Sequence, residues 1–437
     1  MKAALGLAAA AFAFAVTGVP AAAQSPPTGY AAVVLDGLPH RDTTELRARV
    51  FVEEQVGTGR VRAIASGFAE GLVAKRLLPP EGGSHDATGS YTASGSYSAG
   101  GSYNTGGSDD AVAEPQDLRI EFRSTRLAVT AGIGRVVWGR LDELQPTDVV
   151  NPLDLSRFFF EGRSEARLSV PLVRTTVFAG DRASLDAIYV PWFRRGRFDR
   201  LDEPSSPFNI APRVGFVDRS PPRTAANGQG GARLNVTSGH VDWSVSAYRG
   251  FRPFGLYSAA GAIELTRVYP RFTMIGADVE TVSGAWVVRG EAAAFVSDAF
   301  QAAAAPLVRT GSSFDAGGGL DRKAGAYRVS GQFLLHHEAY DAAPPGAPAA
   351  LDSRGRTDVS LIASADRSFA RERYTSRLFG VYNPRGGTGF VRGILTANLK
   401  DNLALEGSLG LFAGSGPDAV GRFSDSDFGY VRLKYFF

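Results

Sequence analysis

The feature that most constrains this chain is a period of two, recurring in segments of about ten residues that turn residues separate. Leu46, Ala48, Val50 and Val52 alternate with Arg47, Arg49, Phe51 and Glu53. Leu118, Ile120 and Phe122 alternate with Arg119, Glu121 and Arg123, and Val241, Trp243, Val245 and Ala247 with Asp242, Ser244, Ser246 and Tyr248. Val359, Leu361, Ala363 and Ala365 oppose Ser360, Ser364 and Asp366. In the last segment Gly429, Val431, Leu433, Tyr435 and Phe437 form one face, and Phe428, Tyr430, Arg432, Lys434 and Phe436 the other. Successive side chains of a strand point to opposite faces, so each segment has one apolar side and one polar side. An edge strand of a soluble sandwich can look like this singly. A long series of such strands fits a closed barrel with lipid outside and water inside.

The links between segments carry the next constraint. Short ones, such as Val56-Gly57-Thr58-Gly59, Ala179-Gly180-Asp181-Arg182, Ser238-Gly239-His240, Val282-Ser283-Gly284 and Lys400-Asp401-Asn402, alternate with longer ones. The longer links fall near 76–115, 139–163, 193–228, 298–311, 338–355 and 413–424. Tight turns at one rim and long loops at the other are the plan of an outer-membrane barrel. The expectation is an all-β fold: a single antiparallel transmembrane β-barrel of about 18 strands, with short periplasmic turns and long extracellular loops. Sixteen strands is the close alternative, because both termini on the periplasmic side require an even number.

The amino terminus agrees. Lys2 precedes an apolar run from Ala3 to Val16, and Ala21-Ala22-Ala23 supplies a small-residue cleavage pattern. The run is shorter than the ~20 residues of a spanning helix, so residues 1–23 read as a signal peptide that is removed. Residues 24–437 then form the barrel, in the outer membrane of a Gram-negative bacterium. The closing strand that ends at Phe437 resembles the terminal strand of bacterial outer-membrane proteins, which implies the barrel-assembly machinery as a partner during biogenesis.

Composition excludes several classes. The absence of Cys rules out disulfides and thiolate metal sites. Net charge is +3 with acids and bases interleaved, which is no nucleic-acid footprint. Mean hydropathy is -0.07, as expected when only alternate strand residues meet lipid. The cations are nearly all Arg. Five His are present, at 40, 85, 240, 336 and 337. His336 and His337 are adjacent on a strand and point to opposite faces, so they form no cluster by themselves. No enzymatic activity, metal or cofactor is expected. The segment 76–115 is of low complexity, with Gly-Ser-Tyr at 89–91, 95–97 and 101–103, and reads as a surface loop.

The densest segment runs from Trp138 to Leu155. It is too polar and Pro-broken to continue a strand, and too apolar for a simple solvated loop. Two readings stay open: an ordered external loop rich in Asx and Pro turns, or a segment at 139–163 that folds inward and narrows the lumen. On the inward reading Trp138, Arg140, Asp142, Asp148, Asn151 and Asp154 define the constriction. Here the chain resembles a family of poorly characterised proteobacterial outer-membrane barrels with a Trp-Gly…Asn-Pro-x-Asp pattern, through Trp138, Gly139, Asn151, Pro152 and Asp154, followed by Tyr189, Val190, Pro191 and Trp192. It is also similar in plan to the alginate-export barrels and to porins. The resemblance implies passage of organic or lipid-like solutes.

Two further groups of charges stand out. Arg194, Arg195, Arg197 and Arg200 are interleaved with aromatics; they read as an interfacial girdle or a contact for anions such as lipopolysaccharide. Arg47, Arg49, Arg119, Arg123, Arg135 and Arg167, with Arg62, Arg289, Arg328, Arg377, Arg392, Arg432 and Lys434, occupy alternate strand positions. Glu53, Glu121, Asp242, Asp278, Glu280 and Glu291 join them. Arg or Lys at the lipid midplane costs about 2–4 kcal/mol, so these charges belong in the lumen. The functional expectation is an outer-membrane channel that passes small solutes, anionic or organic, by passive diffusion through a charge-lined lumen. The second expectation is an export or lipid-handling barrel working with a periplasmic partner. A homo-oligomer is compatible with either.

Overall fold

The computed structural model describes residues 27–39, 43–77, 111–155, 158–197, 216–260, 264–302, 307–343, 353–416, 418 and 420–437. Residues 1–23, most of the 76–115 loop, and Arg200 lie outside them. The described strands are β1 (Thr28–Leu38), β2 (Thr43–Thr58), β3 (Val61–Leu77), β4 (Ala111–Arg123), β5 (Leu127–Gly134), β6 (Val170–Ala179), β7 (Ala183–Val190), β8 (Phe216–Arg219), β9 (Gln229–Ser238), β10 (Val241–Phe251), β11 (Leu256–Ala260), β12 (Glu264–Val268), β13 (Arg271–Ser283), β14 (Trp286–Gln301), β15 (Val308–Ala324), β16 (Tyr327–Tyr340), β17 (Gly355–Phe369), β18 (Tyr374–Asn383), β19 (Thr388–Lys400), β20 (Leu403–Ala413) and β21 (Phe428–Phe436). Eighteen of them pair antiparallel in chain order, and β21 closes on β1 with Val33 opposite Leu433. The remaining three, β8, β11 and β12, form a small separate sheet. That sheet comes from the long links after β7 and β10 and was not expected from the sequence.

Alternation dictates which side chains meet lipid. Val33, Leu35, Leu118, Ile120, Ile275, Leu361, Leu378, Leu409, Val431 and Leu433 are exposed on the outside of the closed sheet. Their neighbours in sequence, among them Asp36, Asp117, Asp278 and Arg432, are buried on the inside. An apolar belt around a closed sheet satisfies every strand hydrogen bond and leaves no edge for lipid to meet. No helix among the described residues is long and apolar enough to cross a membrane.

The apolar core lies inside the barrel. Two links turn inward and bring apolar residues with them. The link between β5 and β6, residues 135–169, carries two one-turn helices, α1 (Phe158–Glu161) and α2 (Arg163–Ala166). Its Val136, Trp138 and Val150 pack with Leu172, Ile188, Tyr248, Phe272, Met274 and Phe295 of the wall. The link between β20 and β21 brings Val420 and Phe423 against Leu38, Phe390, Phe428 and Tyr430. β5 ends at Gly134, earlier than the apolar run to Val137 suggests, because the chain leaves the wall there. Arg135 and Arg167, expected on strands, therefore belong to the inward link.

Candidate functional site: a constriction inside the barrel

The inward segment is held by a single wall carboxylate near its start. Glu291 on β14 accepts hydrogen bonds from the backbone N–H of Arg140 (2.9 Å), Leu141 (3.2 Å) and Thr147 (2.7 Å), and from the Thr147 hydroxyl (2.8 Å). Gly139 makes this approach possible: its φ is 93°, and a Cβ there would lie 2.6 Å from Glu291 Oε1. A chain of polar contacts then carries the segment along the wall. Arg140 Nε donates to Asp278 on β13 at 2.7 Å, and Asp278 also receives Arg233 and Ser244. Asp142 pairs with Arg289 on β14 at 3.0 Å. Glu143 pairs with Arg377 on β18 at 2.6 Å, while its N–H and the Leu144 carbonyl bond the Gln332 amide on β16.

A second lobe reaches other strands. The Phe160 carbonyl accepts from Arg392 on β19 at 2.9 Å. Glu161 receives both terminal nitrogens of Arg432 on β21, at 2.8 and 3.1 Å, and lies 3.5 Å from Arg49 on β2. The Phe160 ring packs edge-on against Phe428 at 4.6 Å. Rooted on β5 and β6, one segment thus touches β13, β14, β16 and β18 through its first lobe and β2, β19 and β21 through its second. It crosses the lumen.

The residues singled out from the sequence divide by position. Arg140 and Asp142 lie at the first lobe's tip, partly exposed. Trp138, Asp148, Asn151 and Asp154 are buried in the segment's root and do not line open space. Trp138 meets Tyr248 edge-on at 6.0 Å. Asp148 pairs with Arg167 at 2.7 Å. The Asn151 side chain accepts from the Val136 N–H (2.7 Å) and donates to the Leu168 carbonyl (2.7 Å), tying the two ends of the segment together. Asp154 pairs with Arg197 at 3.0 Å. The aromatic–arginine cluster differs from expectation for the same electrostatic reason. Arg194 and Arg197 both engage Glu114, and Arg195 engages Asp218 at 2.7 Å. Arg194 and Arg197 balance a largely buried Glu114 that would otherwise be stranded, while Arg195 stays exposed beside Asp218.

The expected lumen charges on strands face inward, mostly in pairs. Arg47 is surrounded by Glu45, Asp36 and Glu70. Arg49 pairs with Glu70 at 2.8 Å and lies over the Phe68 ring at 4.6 Å. Arg119 bridges Asp117 and Glu121, Arg135 reaches Asp117 at 3.3 Å, and Arg123 covers the Phe178 ring at 5.6 Å. The pairs are lopsided. At Asp117 and Asp186 the acid is buried and the guanidinium shows: the Arg174 side chain is 38% exposed while its partner Asp186 is 1% exposed. In one pair at the lobe's tip the order reverses, with Asp142 41% and Arg289 13% exposed. Burial lifts the Asp142 carboxyl above its ordinary range despite Arg289 beside it, and the Asp321 carboxylate adds to the rise.

Sequence reasoning did not find Phe160 and Glu161, Glu143 and Gln332, or the inward turn of 414–427. A half-buried acid two residues before Arg in Glu161-Gly162-Arg163 carries no periodic signal of its own.

No family model matches the chain, and no curated protein matches it. Solved structures do. OccAB1 of Acinetobacter baumannii superposes with a TM-score of 0.51 at 9% identity, over 96% of this chain and 98% of that one. The Pseudomonas aeruginosa outer membrane protein OpdK gives 0.51 at 9% identity, over 94% and 98%. OccK5 (OpdH) of the same organism gives 0.51 at 12% identity, over 94% and 96%. At such identity the likeness is one of fold. The fold is the closed 18-strand antiparallel β-barrel of outer-membrane proteins, and it assigns the chain to the outer membrane of a Gram-negative bacterium. The likeness bears on the fold and shows neither the Trp-Gly…Asn-Pro-x-Asp pattern nor a kinship with the alginate-export barrels.

Proposed function

We propose that the chain is a channel through which small solutes cross the outer membrane by passive diffusion, with the 135–169 segment as its constriction. One observation carries this reading: the segment crosses the lumen and is fastened on several sides by ion pairs rather than hanging outside it. A narrow, charged eyelet lets solutes enter and leave while selecting among them. The exposed guanidinia of Arg119, Arg135, Arg140 and Arg174, backed by buried carboxylates, favour anionic or organic acid solutes. Asp142, at the same tip as Arg140, orients such a solute. Neighbours in fold being outer-membrane channels supports the same reading. In it the protein has no enzymatic role. Its partners are outer-membrane lipid and lipopolysaccharide, the barrel-assembly machinery during biogenesis, and the solute.

The test is single-channel conductance of the refolded protein in a planar bilayer, with reversal potentials read under a salt gradient. Steady conductance with anion preference is expected. A folded protein, shown by heat-modifiable gel mobility, that stays silent would turn the assignment to an export or lipid-handling barrel that needs a periplasmic partner.

A further inference from the structure

One arc of the outer wall departs from the plain apolar belt. At the rim of short turns, Trp286 and Arg322 stand directly opposite across β14 and β15, Tyr327 and Arg367 across β16 and β17, and Phe369 and Tyr374 across β17 and β18. Their sequence neighbours Asp321, Arg328 and Asp366 take the inward positions, where Arg328 lies 3.4 Å from Asp321 and Asp366 lies 3.6 Å from Arg377. The outward guanidinia lie on rings: Arg322 on Trp286 at 5.0 Å, Arg367 on Tyr327 at 4.8 Å, and Arg373 on Tyr374 at 5.7 Å. Phe369 and Tyr374 stack at 5.3 Å. Arg371 adds a fourth cation in the turn, and Glu372 is the one acid in it. Among the described residues, every cation–ring pair on the outward face of this rim belongs to β14–β18. Lys434 over Tyr30 and Arg123 over Phe178, at the same rim elsewhere, face the lumen.

The contrast with the interior is chemical. Most lumen arginines are matched by carboxylates, whereas Arg322, Arg367 and Arg373 make no ion pair among the described residues. A guanidinium resting on an aromatic face uses its face for the ring and keeps its N–H edge for an anion. The fork of that edge matches a phosphate, and aromatic rings sit at headgroup level in a bilayer. Short turns mark the periplasmic rim of such a barrel, where the facing leaflet is phospholipid.

We propose that this arc is a binding site for the phosphate headgroup of an anionic phospholipid. The site is on the outer wall, so it stands or falls independently of conductance. The experiment uses the full protein refolded in vesicles of phosphatidylcholine and phosphatidylglycerol in equal amounts, then extracted in mild detergent and weighed by native mass spectrometry. Retained phosphatidylglycerol is expected to exceed phosphatidylcholine several-fold. The preference should vanish in the triple variant Arg322→Gln, Arg367→Gln, Arg373→Gln. It should persist in Arg60→Gln, Arg126→Gln, Arg182→Gln, which alters short turns on the other side. Heat-modifiable gel mobility verifies folding. Should the Gln variant not fold, Lys at the three positions keeps the charge, loses the fork, and is expected to lower the preference without abolishing it. Equal retention of both lipids, or equal loss of preference in both arginine sets, overturns the proposal. So does self-association that needs the three arginines but no anionic lipid, which would give the patch to a second copy of the chain.

Discussion

Two links enter the barrel, and they are held there by different physics. Segment 135–169 has an apolar root, at Val136, Trp138 and Val150, and polar tips that fasten to distant strands by charge. Segment 414–427 stays beside the strands that bear it. Val420 and Phe423 wedge into the cluster of Leu38, Phe390, Phe412 and Phe428, and the rings of Phe390 and Phe412 lie 4.5 Å apart. Its one buried acid, Asp418, serves the local turn, accepting from Val420 N–H and Gly421 N–H at 2.9 Å each and from the Thr388 hydroxyl at 2.8 Å. The difference teaches a rule for a water-filled lumen. Apolar contact suffices where an adjacent wall can close over it. A segment that must cross open space relies on long side chains reaching from the far walls, and so its position depends on charge.

The strongest way to break this comparison is to remove each segment. Deleting 141–154 takes away most of the first lobe and its contacts to β16 and β18, together with most of those to β14, and single-channel conductance is expected to rise several-fold. Deleting 415–426 removes a wedge against one side, and a smaller rise is expected. An unchanged conductance after the first deletion would sink the constriction, and equal effects would erase the distinction between crossing and wedging.

Single substitutions sharpen the same contrast. Phe390→Ala empties the centre of the aromatic cluster at a cost of about 3–5 kcal/mol. The temperature at which the folded band shifts on a gel should fall, and protease should gain access to 414–427 while the conductance noise of the 139–147 tip stays unchanged. Glu291→Ala should do the reverse. It strips the acceptor from three backbone N–H groups and the Thr147 hydroxyl, weakening tip docking by about 1.5–3 kcal/mol. Water in the lumen re-solvates part of the loss, so the folded band should shift less than for Phe390→Ala while open-channel noise grows. A quiet channel in Glu291→Ala would show that the tip is held by its apolar root alone.

The barrel was legible in the sequence because one rule, alternation, repeats over every strand and is enforced by lipid on one side. Leu118 to Arg123 and Val431 to Lys434 could be assigned to faces for that reason, while the pairing of the last strand with β1 is seen only in the structure. The inward turn of 135–169 was half legible. Its density of Asx, Pro and Trp signalled an ordered segment, but direction is decided by partners far away in sequence, such as Glu291 and Arg377, whose pairing no local pattern encodes. Arg194 and Arg197 misled for a related reason. Four arginines among aromatics read as a surface girdle until Glu114, about eighty residues earlier, is placed between two of them. The girdle that the fold does build, at Arg322, Arg367 and Arg373, is spread over separate strands and makes no cluster in the linear sequence.

Acid should separate the two segments by sign, with the smallest effect of the set. The Asp418 carboxyl is buried, which alone would raise its pKa, but the N–H groups of Gly421 and Val420 and the Thr388 hydroxyl hold it below the ordinary carboxylate value of about 3.9. A group depressed in the folded state contributes stability above its unfolded pKa and loses it as pH falls through the folded value. Docking of 414–427 should therefore be constant down to about pH 4 and weaken below it. Asp142 runs the other way. Its carboxyl is raised in the docked state, so docking of the tip binds a proton more tightly than release does, and it gains as pH falls from neutral through that raised value. Open-channel noise should decline between neutral pH and about pH 4, and protease access to 414–427 should rise only below that. Asp142→Asn should remove the first change and leave the second, and Asp418→Asn the converse. Because Asp142 is partly exposed, its effect should shrink as salt is raised. If both segments loosened together on acidification, charge would be holding both, and the division between a bridge and a wedge would be lost.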